Sequence, residues 1–227
     1  MRIVVVRDYA ELSKRAAAFI SGAVRKKPNL VLGLASGSTP LGTYAELVRR
    51  HREEGLDFSQ VVAFGLDEYI GLSPDHPRSF DHFLHRNFFD DVNIKTENIH
   101  MPDDDYESQI QGAGGIDLQI LGIGTNGPLG FNEPGSSFDS RTRIAALTVV
   151  TIEKNGAPSD RGITMGIATI LECKQILLLA SGSDKASAIA KCVDGPISVS
   201  TPASVLRSHA DTVLIADEQA AGGITAE

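Results

Sequence analysis

Short apolar runs of strand length alternate with helical patterns along almost the whole chain. The runs are rich in Val, Ile and Leu and do not alternate with polar residues, which is typical of strands buried on both faces of a sheet. We predict such strands at residues 3–6, 30–35, 61–66, 116–123, 145–150, 175–180 and 213–216.

Helical patterns fill the intervals between these strands. Asp8 and Glu11 form a capping-box signature, and apolar residues follow them at helical spacing. Thr39 and Pro40 predict a second helix start, with the threonine as the cap and the proline at the first helical position. Further helices are predicted over residues 78–89 and 184–193 and from residue 200 onwards.

This alternation predicts an α/β protein with a doubly wound, mostly parallel sheet and helices on both faces. The length of 227 residues fits a single domain, residues 1–227. Residues 219–227 are small and polar, and we expect them to form a loose tail.

Composition excludes several classes of function. Acidic residues outnumber basic ones by 29 to 21, which is the opposite of the balance in a non-specific nucleic-acid binder. No apolar run approaches the ~18 residues of a membrane span, and the apolar run at residues 3–6 is too short for that of a signal peptide, so we expect none. Cys173 and Cys192 are expected to be reduced and packed, since two cysteines make no disulfide framework. We therefore expect a cytoplasmic protein without nucleic-acid or membrane partners, as a monomer or a homo-oligomer, with neither metal nor organic cofactor.

Ligands of such sheets bind beyond the carboxyl ends of the strands. Ser36, Gly37, Ser38 and Thr39 follow the second predicted strand and precede a helix. Their hydroxyls and the free backbone N–H groups at a helix start suit a phosphate. The alternative is an ordinary strand-to-helix turn, and the two interpretations are about equally supported by this segment.

Other strand ends carry further polar groups. Asp67 and Glu68 close the third strand, and a carboxylate walled there by Leu66 and Tyr69 could have a raised pKa and act as a base. Without further context, a solvated acidic turn is the better interpretation of this segment. A loop over residues 122–135 is rich in glycine and proline and carries Asn126 and Glu133. Lys185 stands at a helix start, where its charge opposes the helix dipole, so it is either a phosphate ligand or a surface lysine. Together these groups fit a small phosphorylated, polyhydroxy substrate and acid–base chemistry.

At these positions the sequence resembles the glucosamine-6-phosphate deaminase (glucosamine-6-phosphate isomerase) family, which is related to the 6-phosphogluconolactonases. The most specific signatures are Asp67-Glu68-Tyr69 and Phe131-Asn132-Glu133-Pro134-Gly135. The matching stretches lie at residues 32–40, 66–72, 115–124, 130–135, 140–143 and 164–167. The resemblance implies conversion of glucosamine 6-phosphate and water to fructose 6-phosphate and ammonia, in amino-sugar catabolism.

The resemblance also implies roles for the site residues. Asp67 would move the C2 proton, the loop 36–39 and Lys185 would hold the phosphate, and Glu133 would support the ring-opening group. In the family that group is a histidine two residues after an Asp or Asn. Asn126 matches the first of these positions, but Pro128 occupies the histidine position and has no side-chain proton acceptor.

The proline at position 128 and two short segments depart from the family and keep alternatives open. His76 is the nearest candidate in sequence for a replacement base. The segments between residues 102 and 114 and between 154 and 163 are short for the family, and the second lacks its phosphate-binding arginine, for which Arg161 is a weak substitute. The alternatives are a sugar-phosphate-binding protein with impaired turnover and a 6-phosphogluconolactonase-like hydrolase.

Overall fold

The computed structural model describes residues 1–225, except for the side chains of Val150, Lys154 and Asn155. The strands are β1 (Arg2–Val6), β2 (Val31–Leu34), β3 (Val62–Gly65), β4 (Asp67–Tyr69), β5 (Ile99–His100), β6 (Leu118–Gly122), β7 (Arg143–Ala146), β8 (Arg161–Thr164), β9 (Gln175–Ala180) and β10 (Thr212–Asp217). The α-helices are α1 (Tyr9–Lys26), α2 (Leu41–Glu54), α3 (Phe80–Asn87), α4 (Tyr106–Gly112), α5 (Val149–Asn155), α6 (Ile167–Leu171), α7 (Ala186–Val193) and α8 (Glu218–Ala221). Short 3₁₀ helices cover Phe89–Asp91, Thr96–Asn98, Ser183–Lys185 and Pro202–Ser208.

A seven-stranded sheet forms the centre of the molecule, in the order β1-β10-β9-β6-β2-β3-β5. Every pair of neighbours in it is parallel. Residues of α1, α2 and α3 pack on one face, and residues of α4, α6, α7 and α8 pack on the other. The predicted doubly wound parallel sheet is therefore confirmed. Among the described residues, no helix has the length and apolarity to cross a membrane.

The chain leaves this sheet at Leu66 and enters a second one. β4 follows β3 after a single residue and belongs to a three-stranded antiparallel sheet, in the order β4-β8-β7. The Leu66 N–H donates to the Leu34 carbonyl of the parallel sheet at 2.8 Å, and its own carbonyl accepts from Met165 N at 2.9 Å. The sequence did not predict this sheet, because its strands are only three to four residues long.

Two predictions of where a helix or strand begins and ends need correction. Residues 145–150 were expected to form one strand, but β7 ends at Ala146 and α5 begins at Val149, capped by the Thr148 hydroxyl. Thr39 does not cap α2: Pro40 is the capping residue, without a side-chain hydrogen bond, and the helix begins one residue later than predicted.

The tail expected at residues 219–227 is ordered in its described part. Asp217 caps α8 by accepting from Ala220 N at 2.8 Å, and Ala220 is fully buried. Thr225 donates from its backbone N–H to Asp194 at 2.9 Å. Composition misjudged this segment because alanine and glycine pack closely against α7 without long apolar side chains.

A buried carboxylate fixes the amino-terminal ends of three strands. Asp117, which is 9% exposed, accepts a hydrogen bond from Val31 N at the start of β2. Its other partners are the ammonium groups of Lys27, after α1, and Lys174, before β9. Burial alone would raise the pKa of Asp117, but the bonds from Lys174, Lys27 and Val31 outweigh it, so this pKa lies below its ordinary value.

We predict that Asp117→Asn lowers the free energy of unfolding by about 1–2 kcal/mol at pH 7, the scale of a charged hydrogen bond discounted for two partly exposed lysines. A carboxyl whose pKa is depressed by folding stabilises the protein above its unfolded pKa, and this contribution is lost as the pH falls through the folded pKa. The difference between the parent and the variant should therefore shrink when urea unfolding is repeated near pH 3. Glu53→Gln, at an exposed pair with Arg49, is the matched control and should change little. A difference that persists at low pH would contradict this assignment.

Candidate active site

A cavity of about 520 Å³ opens beyond the carboxyl ends of β2, β3, β6 and β9. The structure brings all of the predicted site residues to its wall. These are Ser36, Gly37, Ser38, Thr39, Asp67, Asn126, Pro128, Glu133 and Lys185. The parallel sheet explains this convergence, since parallel strands direct their carboxyl ends to one edge.

Asp67 is a buried carboxylate of the cavity wall. It is 5% exposed and accepts a hydrogen bond from the Ser36 hydroxyl at 3.1 Å. Burial raises the pKa of Asp67 to about 7, with a smaller contribution from the charge of Glu68, while the Ser36 hydrogen bond opposes the rise. A carboxylate with a pKa near 7 suits proton abstraction at neutral pH. The hydroxyl of Ser36, predicted to bind phosphate, is thus bound to the candidate base in this structure.

Glu68, the neighbouring carboxylate, has a different role. Its oxygens accept from the Ser79 hydroxyl at 2.6 Å and from the backbone N–H groups of Phe80 and Asp81 at 3.0 and 2.9 Å. These groups lie at the start of α3, where unpaired donors and the positive end of the helix dipole favour a carboxylate. Alternation along β4 therefore turns Asp67 into the cavity and Glu68 toward the helix.

Two buried tyrosines hold the strand ends that carry these groups. Tyr44, on α2, donates to the carbonyl of Ala35 at 2.6 Å, directly before Ser36. Tyr106, on α4, donates to the carbonyl of Gly65 at the end of β3. The two helices lie on opposite faces of the sheet, so both core layers contribute to positioning the site.

Gly130 leaves room for the Asp67 side chain. Its φ is 55°, in the left-handed region that favours glycine. A Cβ at this position would lie 3.0 Å from Asp67 Oδ2 and 2.8 Å from the Thr164 hydroxyl. Any side chain here would therefore displace the carboxylate, in addition to straining the backbone.

Glu133 lines the cavity from the loop after β6. Its carboxylate is 8% exposed, and Oε1 accepts from Thr148 N at 3.1 Å. The fully buried Asn132 beside it donates to the carbonyls of Leu129 and Met165, both at 2.8 Å, and accepts from Arg143. These bonds fix the loop, so the Glu133 carboxylate is held at the cavity wall.

Pro128 lies in the same loop, half-buried and at the cavity wall. Its ring lies against Gly124, where a Cβ would be 2.6 Å from Pro128 Cγ. Asn126, two residues earlier, is exposed at the cavity mouth. Position 128 therefore faces the site, but its side chain offers no group that could accept or donate a proton.

The loop 36–39 has the features of an anion site. The backbone N–H groups of Gly37, Ser38 and Thr39 donate to no other residue in the described part of the chain. Successive free N–H groups before a helix bind anions readily. Lys185 reaches the same cavity with its side chain 16% exposed and is paired with Asp184 at 3.0 Å.

Sequence reasoning identified Tyr69 as a wall of the site but missed Arg78, Phe80 and Phe131 as parts of that wall. Arg78 lines the cavity and donates to the carbonyl of Gly156 at 2.8 Å. Its signal in the sequence was its place directly before Ser79, at the start of the predicted helical stretch. Tyr69, Phe80 and Phe131 pack together with ring centroids 4.7 to 5.8 Å apart and form an apolar wall.

The two substitute residues do not lie at the site. His76 is absent from the described lining of the cavity, and its Nδ1 accepts from Arg78 N at 3.1 Å. Arg161 pairs with Asp160 at 3.9 Å, with its side chain 60% exposed, and is likewise absent from that lining. The structure therefore supports neither residue as a replacement base or phosphate ligand.

Comparisons with known proteins place this geometry in context. Residues 8–215 match the family described as glucosamine-6-phosphate isomerases/6-phosphogluconolactonase. The chain is 45% identical to a glucosamine-6-phosphate deaminase of Thermoanaerobacter pseudethanolicus, with 100% of this chain and 96% of the relative covered. It is 46% identical to glucosamine-6-phosphate deaminase 2 of Bacillus subtilis, with 97% of this chain and 96% of the relative covered.

A solved structure gives the same result. It is described as a monomeric glucosamine-6-phosphate deaminase, and it matches with a TM-score of 0.95 at 40% identity, over 98% of this chain and 100% of that chain. The family match spans most of the sequence, and both relatives and structure are covered almost completely. The chain therefore belongs to the glucosamine-6-phosphate isomerase/6-phosphogluconolactonase family.

Proposed function

We propose that this protein converts glucosamine 6-phosphate and water to fructose 6-phosphate and ammonia. The observation that carries the proposal is Asp67, a buried carboxylate with a pKa of about 7 at the wall of a cavity that also holds an N–H-rich loop. The names of the relatives with 45% and 46% identity support the same reaction.

Different residues of the site serve different steps of the proposed reaction. The loop 36–39 and Lys185 hold the phosphate, which leaves the sugar extending toward Asp67. After the pyranose opens, Asp67 takes the C2 proton, and the C–H electron pair forms the C1–C2 double bond. The π pair of the C1 carbonyl moves onto the C1 oxygen, which takes up a proton, giving an enolamine. A proton added to C1 then gives the protonated imine at C2, and water adds to C2 and expels the nitrogen as ammonia, leaving the C2 ketone. We assign the proton transfers of ring opening to Glu133, and its hydrogen bond from Thr148 N at the cavity wall supports this assignment.

The proposed setting follows from composition and from the relatives. We place the reaction in the cytoplasm, within amino-sugar catabolism, with a small-molecule substrate and without a nucleic-acid partner. The net charge of −8 and two free, buried cysteines support this setting. The related solved structure is of a monomeric protein, and we propose a monomer or a homo-oligomer here.

Asp67→Asn should lower turnover of glucosamine 6-phosphate by about 10²–10⁴, because the amide keeps the shape but cannot accept the proton. The direct measurement is exchange of the C2 proton with solvent deuterium, followed by NMR. Asp75→Asn, at an exposed aspartate in the loop that follows β4, should leave exchange unchanged. If Asp67→Asn exchanges at the parental rate, another group is the base.

The pH profile tests the same role. A base must be ionised, so the parental rate of C2 exchange should fall as the pH drops below about 7, where Asp67 becomes protonated. A rate that stays constant down to pH 5 would contradict the raised pKa of this carboxyl.

Lys185→Ala should weaken phosphorylated ligands by about 1.5–3 kcal/mol, the scale of a hydrogen bond to a charged group. Binding of unphosphorylated glucosamine should hardly change. Lys191→Ala removes an exposed lysine from α7, the helix that directly follows Lys185, and serves as the control for net charge. Equal losses for both ligands would assign Lys185 a structural role.

Pro128 supports a second candidate function, a sugar-phosphate-binding protein with impaired turnover. Since position 128 faces the cavity, Pro128→His should supply the missing proton acceptor and raise turnover by about 10²–10⁴. The gain should carry a pH dependence near pH 6–7, the range of histidine. A parent that already matches the variant in rate and profile would show that ring opening does not depend on this position.

The lactonase branch of the family is tested by the same purified protein. Hydrolysis of 6-phosphogluconolactone without ammonia release from glucosamine 6-phosphate would replace the proposed function. Ammonia release without lactone hydrolysis is the result that we expect.

A further inference from the structure

Two positively charged side chains line the cavity among the described residues. Lys185 belongs to the proposed phosphate site, whereas none of the proposed reaction steps involves Arg78. Arg78 is exposed to solvent on one side, and its Nη1 donates to the carbonyl of Gly156. A guanidinium carries five N–H donors, so most of them are available to a ligand.

The backbone around Arg78 is held firmly. Arg78 N donates to the His76 ring at 3.1 Å, and the next three residues are bound to Glu68 through the Ser79 hydroxyl and two backbone N–H groups. Glu68 directly follows Asp67 in β4. The Asp67 carboxylate therefore faces the cavity, and the Glu68 carboxylate fixes the segment that carries Arg78 at the cavity wall.

Arg78 and Lys185 reach the cavity from segments that are attached to different strands. Lys185 follows the end of β9, whereas the segment of Arg78 is attached to β4, which continues β3. β6 and β2 lie between β9 and β3. At about 4.8 Å per strand, these strand ends are about 14 Å apart. That separation fits an extended ligand with a different polar group at each end.

We infer that Arg78 binds the oxygen atoms at the end of an open-chain sugar phosphate that is remote from the phosphate. The cavity then selects ligands with a phosphate at one end and a carbonyl or carboxylate oxygen at the other. Arginine suits this task because its planar fork pairs with a carboxylate through two parallel hydrogen bonds and donates equally well to a single carbonyl oxygen.

This assignment rests on the proposed function for its effect on the reaction. When Asp67 takes the C2 proton, the electron pair left behind shifts toward the carbonyl group, and negative charge grows on the C1 oxygen. A guanidinium beside that oxygen stabilises the charge as it develops. Arg78 is in that case a substrate-binding residue with an effect on rate, at a position that the family signatures do not include.

The test compares two ligands that differ at C1 alone. 6-Phosphogluconate carries a carboxylate there, and glucitol 6-phosphate carries a neutral alcohol. Dissociation constants are measured by equilibrium dialysis for the parent, Arg78→Gln, Arg86→Gln and Lys185→Ala. Arg86 is an exposed arginine of α3 outside the described cavity lining, so its variant controls for the lost charge.

Arg78→Gln should weaken 6-phosphogluconate about tenfold or more, the effect of losing one charged hydrogen bond, and glucitol 6-phosphate less than twofold. Lys185→Ala should weaken both ligands alike, and Arg86→Gln neither. Melting temperatures that agree between Arg78→Gln and Arg86→Gln exclude a general loss of fold.

Equal weakening of both ligands by Arg78→Gln would mean that Arg78 contacts the phosphate, and no weakening would mean that it serves the Gly156 carbonyl alone. Either result overturns the inference while leaving the Asp67 experiments intact. Conversely, loss of ligand discrimination in Arg78→Gln together with a parental rate in Asp67→Asn would retain the binding role and reject the proposed reaction.

Discussion

The candidate site depends on how the chain passes through Leu66. The amide of this residue completes the parallel sheet, and its carbonyl belongs to the antiparallel one. Both sheets thus constrain the backbone of the next residue, Asp67, whose carboxylate is buried beside the Ser36 hydroxyl. Its burial is the cause of its raised pKa, so the chemistry of the site follows directly from the junction of the two sheets.

The alternation of strands and helices was readable from the sequence because parallel strands buried on both faces are continuous apolar runs. The strand over residues 175–180 has the predicted bounds, and the cap at Asp8 is present, accepting from Glu11 N. The site could be assembled from the sequence for the same reason. Once the sheet is parallel, segments far apart in the chain must meet at one edge, and Asp67 and Lys185 do so.

The remaining features depend on contacts between distant segments, which a single sequence does not display. The strands β4, β7 and β8 are too short to show a recognisable alternation of apolar and polar residues. Tyr44 and Tyr106 lie on helices that otherwise look like ordinary core-facing helices. Nothing in the sequence marks the hydrogen bonds that their hydroxyls donate to the strand-end carbonyls. Asp67 and Glu68 are adjacent and chemically alike, and only the direction of each side chain from β4 separates a candidate base from a helix cap.

The pKa of Asp67 has a consequence for the proton balance of ligand binding. Near pH 7, close to this pKa, the carboxyl carries a proton in part of the molecules before a ligand binds. A ligand that places an ammonium group against it lowers the pKa and expels the proton, whereas one that places an anion there raises the pKa and draws a proton in. The heat of binding therefore varies with the ionisation enthalpy of the buffer, and the sign of that variation identifies which end of the ligand faces Asp67.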